Sequence, residues 1–441
     1  MEDAYIINGG KPLKGEIKLS GAKNVAVKAL IAALLFEGKV VLHNVPRIRD
    51  VYELIDLLKE LGAKVEFTEK NTVEIDGSEM DTNKSDFLHA SKIRTSFMLF
   101  APLLHKFKEA YIPNPGGCRI GARPIDRIVD GMEELGIEVE YDSSTGYYHA
   151  EMKSTPHGSY TFNKTSHTAT ELLILIAVLS NDRVHIHNAA LEPEIDDLIR
   201  FLNEAGGKIK RNGSTIDIEG VKELRQEKPY TLGWDRNEAV TYAVLAVITK
   251  GEIVISRIEE TLIKTFNDLL SKAGGGVEKL PDGRWRYYYK GELKAVDITT
   301  SPHPGFMTDW QPPWAVLMTQ ANGECIIHER VYENRFSYVE ELRKMGADIE
   351  FTKIPVSNPT EYFFFNFDPA KKYNQAVRIR GPKKLHNAVL SVADLRAGAT
   401  LAIAALATEG ESVLNGTSIM ERGYEDFVEK ITSLGGTIQK V

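Results

Sequence analysis

The segment Gly116 to Pro124 reads Gly-Gly-Cys-Arg-Ile-Gly-Ala-Arg-Pro and sets one of only two cysteines in a glycine-rich loop between two arginines. A free thiol ionises near pH ~8.5 and at lower pH beside cations, so Arg119 and Arg123 favour the thiolate of Cys118. The three glycines let backbone approach a ligand closely. A bare Gly-Gly-Cys would also suit an incidental surface turn; the second arginine with Pro124 behind it argues for a reactive thiol. Cys325, in Glu324-Cys325-Ile326-Ile327, reads as a packing residue of a buried strand.

Other segments offer groups for anions. Ser20-Gly21-Ala22-Lys23-Asn24 precedes a helical run from Val25 to Leu35, so Ser20 is expected to cap a helix whose first turn presents Lys23 and Asn24 beside free backbone N–H groups. Lys164-Thr165-Ser166-His167 opens onto the apolar run from Leu172 to Leu179, again placing hydroxyls and free amides at a helix start. Arg94 is expected on a helix, off the stripe formed by Ile93, Phe97, Phe100 and Leu104, where a plain surface arginine is the simple account. Asp309 lies in a proline-punctuated loop beginning Pro302-His303-Pro304, of the kind that often carries function. Asp394-Leu395-Arg396, Glu421-Arg422 and Glu333-Asn334-Arg335 each combine an acid and an arginine, and taken alone each reads as a surface ion pair.

Composition narrows the classes. Lys+Arg total 54 against Asp+Glu 62, a formal net charge of −8, which argues against wholesale binding to nucleic acid or an anionic membrane. An anionic ligand must therefore meet a local basic cluster. The acidic start Met1-Glu2-Asp3 lacks the pattern of a secretory signal, and the longest apolar run is too short to span a bilayer. With two cysteines, reduced thiols in the cytoplasm are expected. The eleven histidines show no metal-ligand spacing, and neither a phosphate-loop nor a Rossmann glycine fingerprint occurs.

The elements that must position these groups follow from a recurring phrase: a helix ending in an apolar residue, a glycine, then a return to strand. It occurs at Leu61-Gly62, Leu135-Gly136, Ala205-Gly206, Ala273-Gly274, Met345-Gly346 and Leu434-Gly435, about 70 residues apart with a longer last interval. Each glycine stands where a helix end needs the left-handed conformation. Each unit also holds a short strand upstream, such as Val40 to Asn44 or Val184 to Asn188. Six such units in 441 residues imply an α/β (α+β) protein of two pseudo-symmetric domains of three units each.

These segments, with Glu192-Pro193-Glu194-Ile195, Glu333-Asn334-Arg335-Phe336 and Arg422-Gly423-Tyr424-Glu425, together resemble the UDP-N-acetylglucosamine 1-carboxyvinyltransferase family, the enolpyruvyl transferases of peptidoglycan synthesis. The resemblance runs the length of the chain, and the cysteine loop is its most specific part. It implies two inverted α/β barrel-like domains with an interdomain active-site cleft. The expected division is residues 1–20 joining the C-terminal domain, 21–233 as the domain carrying Cys118, and 234–441 as the domain carrying Asp309, Arg396 and Arg422.

It further implies transfer of the enolpyruvyl group of phosphoenolpyruvate to the 3-hydroxyl of UDP-N-acetylglucosamine with release of phosphate, without cofactor or metal. By the same resemblance Cys118 is the proton donor and adduct-forming thiol, Asp309 the base, and Asn24 a partner of the tetrahedral intermediate. Lys23, Arg94, Arg123, Arg396 and Arg422 would hold charged substrate groups. Uridine and diphosphate would lie against Arg123, Pro124, Ile125, Asp126, Arg127, Lys164, Thr165, Ser166 and His167, with Val331 near the sugar and Arg335 in support. Two departures fall on this nucleotide region: Ser166-His167-Thr168-Ala169-Thr170 replaces the family's usual Ser-Val-Gly-Ala-Thr, and Arg127 replaces an apolar residue, its charge expected to be solvated. Alternatives are an enolpyruvyl transferase acting on shikimate 3-phosphate or another nucleotide, and a non-catalytic UDP-sugar-binding paralogue.

Overall fold

A computed structural model describes residues 3–441 except Cys118, Arg119 and Arg123. The chain divides into two compact units. One contains the described residues of Met1–Ser20, Cys118–Arg123 and Trp234–Val441, and the other Gly21–Gly117 and Pro124–Gly233.

Each unit holds three sheets built on one plan. In the unit of residues 21–117 and 124–233, strand Val40–His43 leads into helix Arg49–Glu60, then the hairpin Lys64–Glu69 and Thr72–Asp76 returns to pair antiparallel with the first strand. Tyr230–Thr231 adds a parallel fourth strand. Strand Arg183–His187, helix Pro193–Glu204 and strands Lys208–Asn212 and Thr215–Glu219 repeat the plan, with Gly158–Thr161 parallel at the edge. The middle repeat, from Glu109–Pro113 through helix Asp126–Glu134 to Glu138–Asp142 and Tyr147–Glu151, has three strands. A single parallel bridge between Lys84 and Tyr111 occupies its fourth position.

The other unit carries three four-stranded sheets. The sheet led by Glu252–Ile255 receives Lys14–Ile17 as its parallel edge, and that led by Gly323–His328 receives Ile298–Thr299. In the last repeat Gly410–Asn415 is followed by helix Phe427–Ser433 and strand Thr437–Lys440, and the place between those two strands is taken from the other end of the sequence. Strand Ala4–Gly9 fills that place, pairing antiparallel with both. All six helix-ending glycines, Gly62, Gly136, Gly206, Gly274, Gly346 and Gly435, have φ between 86° and 100°, the left-handed conformation that a Cβ disfavours.

Helices are of two kinds. Arg49–Glu60, Pro193–Glu204 and Glu260–Lys272 bury one face, with apolar residues such as Leu54, Leu57 and Leu58 at helical spacing. Lys23–Ala32, His167–Ala177, Arg236–Ile248, Gln311–Thr319 and Leu395–Ala407 are buried on almost every side. Beyond their first turns these sequences are apolar nearly all round, as buried helices are, and Lys23–Ala32, Arg236–Ile248 and Leu395–Ala407 are rich in alanine. Arg94–Leu99 and Phe100–Phe107 form the corresponding element of the middle repeat, where the sequence predicts one helix and the structure opens it with a 3-10 turn. Cys325 lies in strand Gly323–His328 as a buried free thiol, and burial pushes its pKa up to about 12.

Candidate active site

Within the two units several residues singled out in the sequence stand at helix starts: Lys23, Asn24, Arg94, Ser166, His167 and Arg396, with Asp309 in the turn just ahead of Gln311–Thr319. Helix N-termini leave backbone N–H groups unpaired and carry a partial positive charge, so side chains placed there act together with the backbone on an anion.

In the unit of residues 21–117 and 124–233, Lys23 and Asn24 open helix Lys23–Ala32, both half-buried. The Lys23 ammonium pairs at 2.6 Å with Asp50, itself in the first turn of helix Arg49–Glu60. The expected Ser20 cap is not formed. The N-cap position belongs to Ala22, without a side-chain hydrogen bond, and the Ser20 hydroxyl instead accepts a 2.7 Å bond from Lys430 while its backbone N–H donates to Glu238 at 2.6 Å. Glu238 is buried, and closing an ion pair with Lys430 there outweighs a solvent-side cap.

Arg94 opens its 3-10 turn and reaches the Pro124 carbonyl at 3.5 Å. Ile125 is buried, whereas Pro124 and Asp126 are exposed. Arg127 is half-buried and its guanidinium donates to the Thr165 carbonyl at 3.4 Å, which corrects the expectation of a solvated charge. Lys164 lies close enough to feel it: burial, then the Arg127 charge, lower the Lys164 pKa. Ser166 caps helix His167–Ala177 by accepting from the Ala169 N–H, as its position predicts. His167 Nε2 sits 3.1 Å from Glu171. Cys118, Arg119 and Arg123 lie outside the described residues.

In the other unit, Asp309 occupies a 3-10 turn, Thr308–Trp310, that runs directly into helix Gln311–Thr319. Its two carboxylate oxygens are held separately, Oδ1 by Arg335 and Oδ2 by Arg396 Nε at 3.3 Å. Both arginines are almost fully buried, so Arg335 and Arg396 are not the surface residues that local sequence suggests. Asp394 is likewise no surface partner: its Oδ1 accepts from the Arg396 and Ala397 N–H groups at 3.1 Å and caps helix Leu395–Ala407. The Arg396 guanidinium carbon stands 5.2 Å from the centroid of the buried Tyr424 ring, whose hydroxyl meets Thr241 at 2.8 Å. Burial opposes the Arg396 charge, but Tyr424, Asp309 and Asp235 outweigh it and hold its pKa above the ordinary guanidinium value. Arg422 ends the turn Thr417–Arg422, half-buried.

Glu329 is a positioning group that no local motif marks. Fully buried, it accepts from the Val331 and Tyr332 N–H groups at 2.7 and 3.1 Å and from the Thr308 hydroxyl at 2.9 Å. It thus ties the segment carrying Val331 and Arg335 to the turn carrying Asp309. Burial pushes its carboxyl pKa up, against those hydrogen bonds and the Arg335 charge. Asp50, Lys28 and Glu171 carry no local signal either: each is one acid or lysine among many on a helix until packing brings its partner. Arg335 Nε and Arg396 Nη1 are buried and carry no hydrogen bond among the described residues. Orphaned charged donors of this kind are costly in a purely structural cluster. Two guanidiniums on one ionised carboxylate, with donor capacity left over, can bind a further anion and leave an oxygen to take a proton.

This scaffold of six repeats, with ionic groups at the starts of its buried helices, is that of the enolpyruvyl transferases, and the chain belongs to that family: the profile described as EPSP synthase (3-phosphoshikimate 1-carboxyvinyltransferase) matches residues 7–431. Within the family, the chain is 37% identical over 444 residues to the UDP-N-acetylglucosamine 1-carboxyvinyltransferase of Coxiella burnetii, covering 100% of this chain and 96% of that protein. It is 39% identical to the enzyme of the same name from the Wolbachia of Brugia malayi, with 99% of each covered. Among solved structures, the enolpyruvyl transferase NikO from Streptomyces tendae superposes with a TM-score of 0.85 at 23% identity, covering 100% of this chain and 99% of that one, which shows the shared fold.

Proposed function

We propose that the protein transfers the enolpyruvyl group of phosphoenolpyruvate to the 3-hydroxyl of UDP-N-acetylglucosamine, releasing inorganic phosphate, as a step in making peptidoglycan precursors. The observation that carries the chemistry is the Asp309 carboxylate held between Arg335 and Arg396 at the start of a buried helix. The names of its full-length relatives support the acceptor.

In the addition step the methylene carbon of phosphoenolpyruvate gains a proton and the sugar oxygen bonds to the adjacent carbon. In the elimination step that methyl group loses a proton, the C–O bond to phosphate breaks and the alkene returns. Cys118 delivers the proton and forms a covalent adduct when its sulfur, rather than the sugar oxygen, bonds that carbon. Asp309 takes the proton of the sugar hydroxyl, with Arg335 keeping the carboxylate ionised and oriented. Lys23, Arg94, Arg123, Arg396 and Arg422 neutralise phosphate and carboxylate, guanidinium matching both in pairs of hydrogen bonds. Asn24 bonds the tetrahedral intermediate. The nucleotide lies against Arg123 to Arg127 and Lys164 to His167, with Val331 beside the sugar. Among the described residues no helix is long and apolar enough to cross a membrane, and we place the enzyme in the cytoplasm, acting on small molecules without metal or cofactor.

The test is phosphate release from phosphoenolpyruvate with UDP-N-acetylglucosamine and, separately, with shikimate 3-phosphate, using Cys118→Ala as control. Release with the nucleotide sugar alone, abolished in the variant, is expected. Release with shikimate 3-phosphate instead would reassign the acceptor, and nucleotide-sugar binding without phosphate from any acceptor would make the protein a binding paralogue. An alanine variant with normal turnover would remove the thiol from the mechanism.

A further inference from the structure

His167 is the first residue of helix His167–Ala177, directly behind the Ser166 cap and the Lys164–Thr165 segment. Its Nε2 is committed to Glu171 Oε1 at 3.1 Å, one turn along the same helix. Glu171 is fully buried and already neutralised by Lys28 of helix Lys23–Ala32, whose ammonium lies 2.9 Å from one carboxylate oxygen and 3.1 Å from the other. Buried Glu192, which precedes helix Pro193–Glu204, adds a second negative charge acting on the ring. A structural ion pair would be complete with Lys28 and Glu171 alone. The imidazole is a second cation-former on the same acid, and its side chain keeps 24% of its surface exposed.

The free variable is Nδ1, which makes no hydrogen bond among the described residues. With Nε2–H given to Glu171, a neutral ring leaves Nδ1 as a bare lone pair, which repels an anion. A charged ring presents Nδ1–H, a charge-assisted donor that attracts one. Burial disfavours the charged ring and Lys28 repels it, but Glu171 and then Glu192 outweigh both, so the His167 pKa lies above its ordinary value. The donor is therefore present at and below that raised pKa and is lost as pH climbs through it.

We infer that His167 is a pH-dependent binding residue for the nucleotide sugar, its charged Nδ1–H donating to a diphosphate oxygen beside Lys164 and Arg127. This rests on the function proposed above and adds to it a specific control on substrate affinity.

The test is calorimetric binding of UDP-N-acetylglucosamine to the intact protein between about pH 6 and about pH 9 at constant salt, a range in which the diphosphate diester does not titrate. Affinity should fall about tenfold in total across the His167 titration, whereas uridine, lacking phosphate, should bind without that dependence. In steady state the loss should appear in KM and not in kcat. His167→Gln should bind at the weak, alkaline level of the parent protein at every pH, with its melting transition showing that it is folded. A flat profile in the parent protein, or equal dependence for uridine, overturns the inference without help from any variant; so does a profile that survives in His167→Gln. If the nucleotide sugar fails to bind at any pH while another acceptor releases phosphate, the acceptor assignment falls and takes the inference with it.

Discussion

The two units solve one scaffold twice and charge it differently. Around residues 21–117 and 124–233 the helix starts carry half-buried cations: Lys23 meets Asp50, Arg94 the Pro124 carbonyl and Arg127 the Thr165 carbonyl. In the other unit the ionic groups are sunk and shared, Asp309 between Arg335 and Arg396, with Glu329, Asp394 and Tyr424 fixing them from behind. Partly exposed cations can adjust to a large ligand such as a nucleotide. Buried, multiply held groups keep one geometry, which is what bond-making needs.

The sharpest way to break this contrast is to remove the carboxylates on each side. Asp309→Asn is expected to lower turnover by about 100-fold or more. Asp309→Ala should also destabilise by about 3–5 kcal/mol, because two buried guanidiniums lose their counter-charge. Asp50→Ala should cost less, about 1–3 kcal/mol, since one ammonium rather than two guanidiniums loses its counter-charge. Equal losses in urea denaturation would mean that the two regions do not differ in kind.

Next in size is the deeply buried Lys28–Glu171 pair of the first region. Glu171→Leu alone should cost about 3 kcal/mol or more, whereas Lys28→Met with Glu171→Leu should recover most of it, as replacing a whole buried pair does. No recovery in the double variant would show that His167 and Glu192, not Lys28, govern the site.

The glycine ends should behave alike in both units. Gly206→Ala and Gly435→Ala are each expected to cost about 1–2 kcal/mol from the left-handed backbone alone, since an added Cβ would meet open space at both. Gly62→Ala should cost more, because its Cβ would stand 2.8 Å from the Glu79 carbonyl oxygen. Smallest of all is the chemistry of Cys325. With its thiol pKa near 12, iodoacetamide at neutral pH should leave native Cys118→Ala protein unlabelled, and labelling should appear on denaturation. Labelling of the native variant would contradict that burial.

The repeat was legible in the sequence because its signal is local. A glycine at a helix end answers to the φ of one residue, and an alanine-rich stretch apolar on every side, such as Ala239 to Ile248, declares a buried helix whatever surrounds it. The Ser166 cap was legible for the same reason, spanning three residues. Ser20 carries the same signal yet forms no cap, because a buried acid 218 positions away claims its N–H and a lysine 410 positions away its hydroxyl.

Residue types and spacing by themselves thus determined the six units, the helix stops and the supply of cations. Which acid meets which base was decided only in three dimensions. Asp309 finds Arg335 and Arg396 from 26 and 87 positions away, and Ala4–Gly9 completes a hairpin begun at the opposite end of the chain. The reason is physical: backbone conformation and helical period are set within a turn or two, whereas the partner of a buried charge depends on strand pairing and on how closely helices pack, which no short window of sequence contains.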